Sequence, residues 1–295
     1  MQIGFWGAGL MGSGLAKNLL RHDHTVIVYS RDLERARSIA SVGQHGIVAQ
    51  SFLDLAKADV LITCVARPIY LTQGLLGSNG LYEQLEPGTL HIECSTIDPQ
   101  TATTLAKAIR ERGCDYLQAT LGKTPALAEK AEEPIFVGGD SLVQKRAWEL
   151  LTIIGKPENV GSIEASCGIK LLSNLIGMTN VAVLAEGMRI GRAMGVDSQQ
   201  LLKILGDTGA TSFQMDLRGP MMAAADYSAA KFRLTLALKD LVLGTDMAHL
   251  MEVATPLMDT ARMQFNRAVT QGLGDQDCAA VAEIGFGASN KVQKS

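Results

Sequence analysis

The stretch Ile3-Gly4-Phe5-Trp6-Gly7-Ala8-Gly9-Leu10-Met11-Gly12 constrains the fold more than any other part of the chain. Residues 2–6 (QIGFW) read as a buried strand, and LAKNLLR, from Leu15, has helical spacing. Gly7-x-Gly9-x-x-Gly12 therefore stands where a strand turns into a helix. Gly7 permits the tight turn, and Gly9 lets a pyrophosphate approach the backbone. Gly12 lets helix and strand pack closely, with phosphates at the helix N-terminus beside Leu10 and Met11. Alone, three spaced glycines are an ordinary turn; in this setting they read as a dinucleotide fingerprint.

The second strand, TVIVY (25–29), ends in Tyr29-Ser30-Arg31. Folds that hold NAD place Asp or Glu there to bind the ribose 2′-hydroxyl. Ser30 takes the place of that acid, so no carboxylate repels a 2′-phosphate, and Arg31 offers a fork-shaped cation. NADP(H) is expected over NAD(H). In the other reading Ser30 or Asp32 caps the next helix and Arg31 is solvated or stacks on adenine.

Further strands are predicted at 60–65, 89–93, 115–119 and 134–139, and helices from about 32 and over 51–57, 98–112 and 141–153. Strands alternating with helices imply a mostly parallel sheet covered on both faces. The alternation stops after about Val160. The stretch 164–194 is long and largely apolar, and helices follow near 197–206, 233–250, 256–270 and 277–285. The expected architecture is an α/β Rossmann-type N-terminal domain, residues 1–162, and an all-α C-terminal domain for substrate and oligomerisation, residues 163–295, joined by a long helix. An all-round apolar helix belongs at a domain or subunit junction, so a homodimer or homotetramer is expected.

Composition narrows the partners. Net charge is −3 and no Lys/Arg block occurs, which argues against nucleic acid. No run of about 18 uncharged apolar residues is present, so no membrane span is expected. The first apolar stretch is broken by glycines and lacks a basic flank or cleavage site, so no signal peptide is read. The five cysteines include no Cys-x-x-Cys and the five histidines no His-x-x-x-His, which fits reduced thiols in a cytoplasm and no metal site.

IGFWGAGLMGSGLAKNLL resembles the opening signature of the β-hydroxyacid dehydrogenase family. GIKLLSNLI (Gly168 to Ile176), FRLTLALKDL (Phe232 to Leu241) and ECSTIDP around Ser95 and Thr96 are similar to three further segments of that family, in order. The resemblance covers almost the whole chain. It implies hydride transfer between NADP(H) and a small anionic aldehyde or β-hydroxy acid. It implies Lys170 as general acid/base, with Asn174 one helical turn away to hold it and contact the substrate. It places Val65, Ala66, Thr96 and Lys239 toward the cofactor, and Ser95 and Asp240 toward the substrate. Without the resemblance, Lys170 and Asn174 would read as ordinary helix-surface residues, and Lys239 and Asp240 as a solvated pair.

Two places depart from the family pattern. Cys64-Val65-Ala66-Arg67 stands where the family often has Met-Leu-Pro-Asn. Thr120-Leu121-Gly122-Lys123-Thr124 stands where most members have Pro-Val-Ser-Gly-Gly, and it is similar to the Gly-Arg-Thr loop of the sulfolactaldehyde reductases. Gly122, Lys123 and Thr124 are therefore expected to seat the substrate's acid group on backbone amides and a cation. The alternative leaves Lys123 in solvent. Two rival functions remain: an imine reductase on the same scaffold, which usually lacks the lysine, and a non-catalytic dinucleotide-binding module.

Overall fold

The structure is a computed structural model and describes residues 1–284. The last residue of the expected 277–285 helix and the end of the C-terminal domain lie outside the described residues. The chain divides into two compact units, Met1–Leu171 and Leu172–Ser295.

The first unit is built on eight strands: β1 (Gln2–Trp6), β2 (Thr25–Tyr29), β3 (Gly46–Val48), β4 (Val60–Thr63), β5 (Leu90–Glu93), β6 (Asp115–Leu121), β7 (Pro134–Gly139) and β8 (Lys156–Gly161). They pair in the order β3-β2-β1-β4-β5-β6-β7-β8. Every pair is parallel except β6–β7, which is antiparallel. The helices between them are α1 (Leu10–Arg21), α2 (Leu33–Ala40), α3 (Pro68–Leu76), α4 (Pro99–Arg110), α5 (Pro125–Glu129) and α6 (Ser141–Ile154). The segment expected as a helix over 51–57 is a 3-10 helix, Phe52–Lys57, with a capping box at Ser51 and Asp54.

Burial explains the sheet. β4 and β5 are buried at every position, as a strand covered on both faces must be. Neighbouring residues point to opposite layers: Ile62 packs with α1 and α6 residues such as Leu15 and Leu151, whereas Leu61 packs with Leu71, Leu75 and Leu105 from α3 and α4. Two strands escape the sequence reading. β3 is three residues long, and β8 (KPENVG) is polar and mostly exposed with a proline inside, the composition of a sheet edge.

The long helix α7 (Ile163–Ala193) starts where the domain boundary is expected, and the division between the two units falls within it. By length and composition alone α7 is long and apolar enough to cross a membrane, with a mean hydropathy of 1.4 over its best window, a property that core helices share. The sequence reading missed this because charged residues interrupt the uncharged run.

In the second unit α7 is followed by α8 (Ser198–Gly206), α9 (Phe213–Ala224), α10 (Leu234–Leu250), α11 (Pro256–Ala268), a π-helical turn (Val269–Leu273) and a 3-10 helix (Cys278–Glu283). Met178, Val181 and Met188 of α7 pack with Leu234, Leu241, Phe265 and Val281 in its core. The sequence reading did not foresee α9, whose interior holds Gly219 and Pro220. Ser212 caps its first turn through the amide of Met215.

Candidate active site

The glycine loop lies at the carboxyl edge of β1, next to β4, where the strand order reverses and α/β sheets hold ligands. Gly7 has φ +124°, and a Cβ there would lie 2.1 Å from the Cys64 carbonyl oxygen. A Cβ on Gly12 would lie 2.0 Å from the oxygen of Gly7. Around Gly9 nothing comes within 4 Å, so two glycines close the turn and the middle one leaves an open approach. Gly9 is also the N-cap of α1 and offers no side-chain cap, so the first amides of α1 suit an anion. Leu10 is exposed there, and Met11 packs against the core. This cradle fits a dinucleotide pyrophosphate.

At the end of β2 the Ser30 hydroxyl accepts from the amide of Asp32 (3.1 Å), and the Asp32 carboxylate caps α2 by accepting from Arg35 N (3.2 Å). Asp32 thus does the capping. Arg31 is carried over the ring of Tyr70, 4.9 Å from its centroid, a contact nothing in the sequence announced.

The loops after β4 and β5 are tied from below. Val65 N donates to Ser95 Oγ (2.8 Å), Ser95 N donates to Glu93 Oε1 (2.5 Å) and Thr63 Oγ1 donates to Glu93 Oε2 (2.5 Å). His91 Nε2 lies 2.7 Å from Thr63 Oγ1, and Tyr82 OH lies 2.6 Å from His91 Nδ1. Since the Thr63 proton goes to Glu93, Thr63 must accept from His91 Nε2–H, and His91 Nδ1 must accept from Tyr82. Every proton is placed by a neutral His91. Burial holds its pKa down at about 3, even though the Glu93 carboxylate 3.7 Å away favours the charged ring. Burial pushes the Tyr82 and Tyr116 hydroxyls up. Tyr116 OH donates to Gln118, whose side-chain amide donates to the Glu93 carbonyl oxygen. Ser95 is 2% exposed and its hydroxyl accepts from Val65 N, so it ties the two loops together. Thr96 is half-buried and Ala66 is exposed.

The loop after β6 corrects the expected anion seat. Gly122 N donates to the Pro134 carbonyl (2.8 Å). The amides of Lys123 and Thr124 both donate to the Glu133 carboxylate, the latter at 3.0 Å. Glu133 is fully buried, while the Lys123 side chain is exposed. Burial raises the Glu133 pKa, opposed by the two amides and then by the charges of Lys170 and Lys123. The anion in this seat is therefore the protein's own. The reason is long-range register: the antiparallel pair puts Leu121 opposite Ile135, so the chain brings Glu133 back beside Lys123. A glutamate ten residues downstream of Lys123 gave no local signal of that return.

Lys170, 9% exposed, lies on the part of α7 that belongs to the first unit. One turn earlier Ser166 Oγ donates to the Phe136 carbonyl (2.6 Å), and Thr120 Oγ1 donates to the Ser166 carbonyl (3.0 Å), fixing α7 on β6 and β7. In the second unit Asn174 Nδ2 donates to Asp240 Oδ2 (2.6 Å), and Lys239 Nζ lies 2.8 Å from Asp240 Oδ1. Asp240 is 2% exposed and Asn174 and Lys239 are half-buried, so Lys239 and Asp240 are not the solvated pair of the plainer reading. A separate cavity of about 1010 Å³, lined by Lys107, Asp115 and Arg146, opens at the amino end of β6, the opposite edge of the sheet.

Comparison with known proteins bears on the fold and the family. Residues 2–168 match the NAD binding domain of 6-phosphogluconate dehydrogenase, and residues 165–284 match the NAD-binding domain of NADP-dependent 3-hydroxyisobutyrate dehydrogenase. The chain is 29% identical to the cytokine-like nuclear factor N-PAC of Xenopus tropicalis over 95% of its own length, but spans about half (52%) of that protein. It is 28% identical to 2-(hydroxymethyl)glutarate dehydrogenase of Eubacterium barkeri, over 96% of this chain and 94% of that one. Its fold is shared with 3-hydroxyisobutyrate dehydrogenase from Salmonella typhimurium, with a TM-score of 0.89 at 23% identity, covering 96% and 99% of the two chains. With both domain types matched in order over one chain and the glycine cradle in place in the first, the protein belongs to the β-hydroxyacid dehydrogenase family.

Proposed function

We propose that the protein is an NADP(H)-dependent reductase of small anionic semialdehydes, working reversibly on the matching β-hydroxy acids, with Lys170 as general acid/base. The observation that carries this reading is a lysine that is 9% exposed, on a helix fixed to the strand pair that ends at the Gly122 loop. The bound nucleotide supplies the hydride. Gly7, Gly9 and Gly12 with the first turn of α1 hold its phosphates, and Val65, Ala66 and Thr96 border the same edge of the sheet. Ser30 and Arg31 favour the 2′-phosphate, since a hydroxyl replaces the acid and a guanidinium stands ready. An ammonium in a partly desolvated position polarises a carbonyl and delivers the proton its oxygen needs. Asn174 and Asp240 are assigned to the substrate and Lys239 to the cofactor, and the exposed Lys123 ammonium meets the substrate's acid group.

The protein works as a cytoplasmic homodimer or homotetramer. Val183 and Ile190 of α7 and Met194 just after it, at 63%, 62% and 72% exposure, form an apolar line suited to a second copy. A second reading, nucleotide binding without turnover, draws on the similarity to a protein named as a nuclear factor. NADPH consumption measured against short semialdehydes with carboxylate, sulfonate and phosphate head groups separates the two. Turnover on at least one supports the reductase; tight NADPH binding with no turnover on any supports the module.

A further inference from the structure

Glu133 is a fully buried carboxylate that the glycine cradle does not use. Its surroundings follow from register. α7 runs antiparallel to β7 over the β6–β7 pair, and two contacts mark its course. Gly138 allows the first, since a Cβ there would meet the Ser162 carbonyl oxygen at 2.0 Å. The second is Ser166 on Phe136 and Thr120. Each four-residue step of a helix advances about 6 Å, and each two-residue step of a strand about 6.6 Å, so the two ladders keep pace. The step from Gly138 to Phe136 matches Ser162 to Ser166, and the next step carries Lys170 to Pro134 and Glu133. The charges of Lys170, from α7, and Lys123, from the β6 loop, act on Glu133, and from β8 the Lys156 amide donates to the Glu133 carbonyl (2.8 Å).

We propose that Glu133 is a positioning residue for Lys170: a buried counter-ion whose two oxygens pin the amides of Lys123 and Thr124 and whose charge keeps Lys170 an ammonium. The functional half of this rests on the reading of Lys170 as the acid. The consequence is a pocket that supplies its own anion at the seat, so the Lys123–Thr124 amides hold the loop closed and leave the substrate's acid group to the Lys123 side chain. Removing the charge while keeping the shape, in Glu133→Gln, takes away a nearby opposite charge and makes the Lys170 ammonium easier to deprotonate.

The test has two readouts. Lysines are reductively ¹³C-methylated, the Lys170 resonance is assigned by its loss in Lys170→Met, and it is titrated by NMR. In Glu133→Gln the Lys170 midpoint is expected to fall by about one pH unit, and the basic limb of kcat/KM for aldehyde reduction to move down equally. A folded Glu133→Gln protein whose Lys170 midpoint stays in place overturns the proposal. In the wild type the same resonance should show a second, smaller inflection in the acid range as Glu133 takes up a proton; its absence overturns the proposal even if the variant does not fold. The NMR titration needs no turnover, so it stands apart from the proposed function, which fails instead if Lys170→Met retains activity.

Discussion

Acid should strip stability from the first unit through one residue, His91. The ring is completely buried and hydrogen-bonded at both nitrogens in its neutral form, and burial lowers its pKa from 6.5 to about 3. An unfolded chain takes up a proton on this histidine below pH about 6.5, whereas the folded chain resists until about 3. In that window the unfolded state binds more protons, so stability is full above it and is lost as pH falls. At about 1.4 kcal/mol per pH unit, the interval from 6.5 to about 3 caps the loss at about 5 kcal/mol, a large share of a typical folding free energy. His91→Gln keeps a donor for Thr63 and an acceptor for Tyr82 but cannot titrate. Urea unfolding of both proteins, followed by circular dichroism between pH about 7 and about 4.5, isolates the term, because the carboxylates common to both cancel. The wild-type stability, less that of the variant, should fall with a slope of about 1.4 kcal/mol per pH unit below pH about 6. Parallel curves would refute the neutral, doubly bonded His91 and the proton order built on it.

Three further outcomes are expected. Lys170→Met should lower kcat about a hundredfold or more while NADPH affinity, read by fluorescence titration, stays near wild type; retained turnover would remove the acid/base assignment. Ser30→Asp places a carboxylate where a 2′-phosphate would sit, so the kcat/KM ratio for NADPH over NADH should fall steeply, and a wild type that already prefers NADH contradicts the reasoning. Tyr70→Ala removes the ring beneath Arg31, and a cation–π contact at an exposed site contributes about 0.5–1 kcal/mol, so KM for NADPH should rise about two- to fivefold with NADH unaffected; equal rises for both cofactors would show that Tyr70 does not act through Arg31.

The strand–glycine–helix opening, the alternation that ends near Val160 and the helical remainder were legible because each is local. Apolar period, turn glycines and capping aspartates act within a few residues and mean the same thing in any sequence. The glycine cradle was readable for the same reason, since Gly7, Gly9 and Gly12 answer to one turn. Polar letters inside buried strands, His91 and Glu93 in LHIE, did carry a signal of a satisfied network, because an unpaired polar group is costly there. Their partners were not readable: Thr63, Tyr82 and Ser95 come from other elements. The edge strands β3 and β8 escaped because an edge strand need not be apolar or long. The seat at Gly122 was decided wholly by tertiary structure. Sequence alone gave a bare loop with one cation, which suits an external anion; antiparallel pairing of β6 with β7 supplied an internal one, Glu133. Local chemistry fixes which groups a chain can offer a ligand, but long-range pairing fixes which of them the chain itself has already engaged.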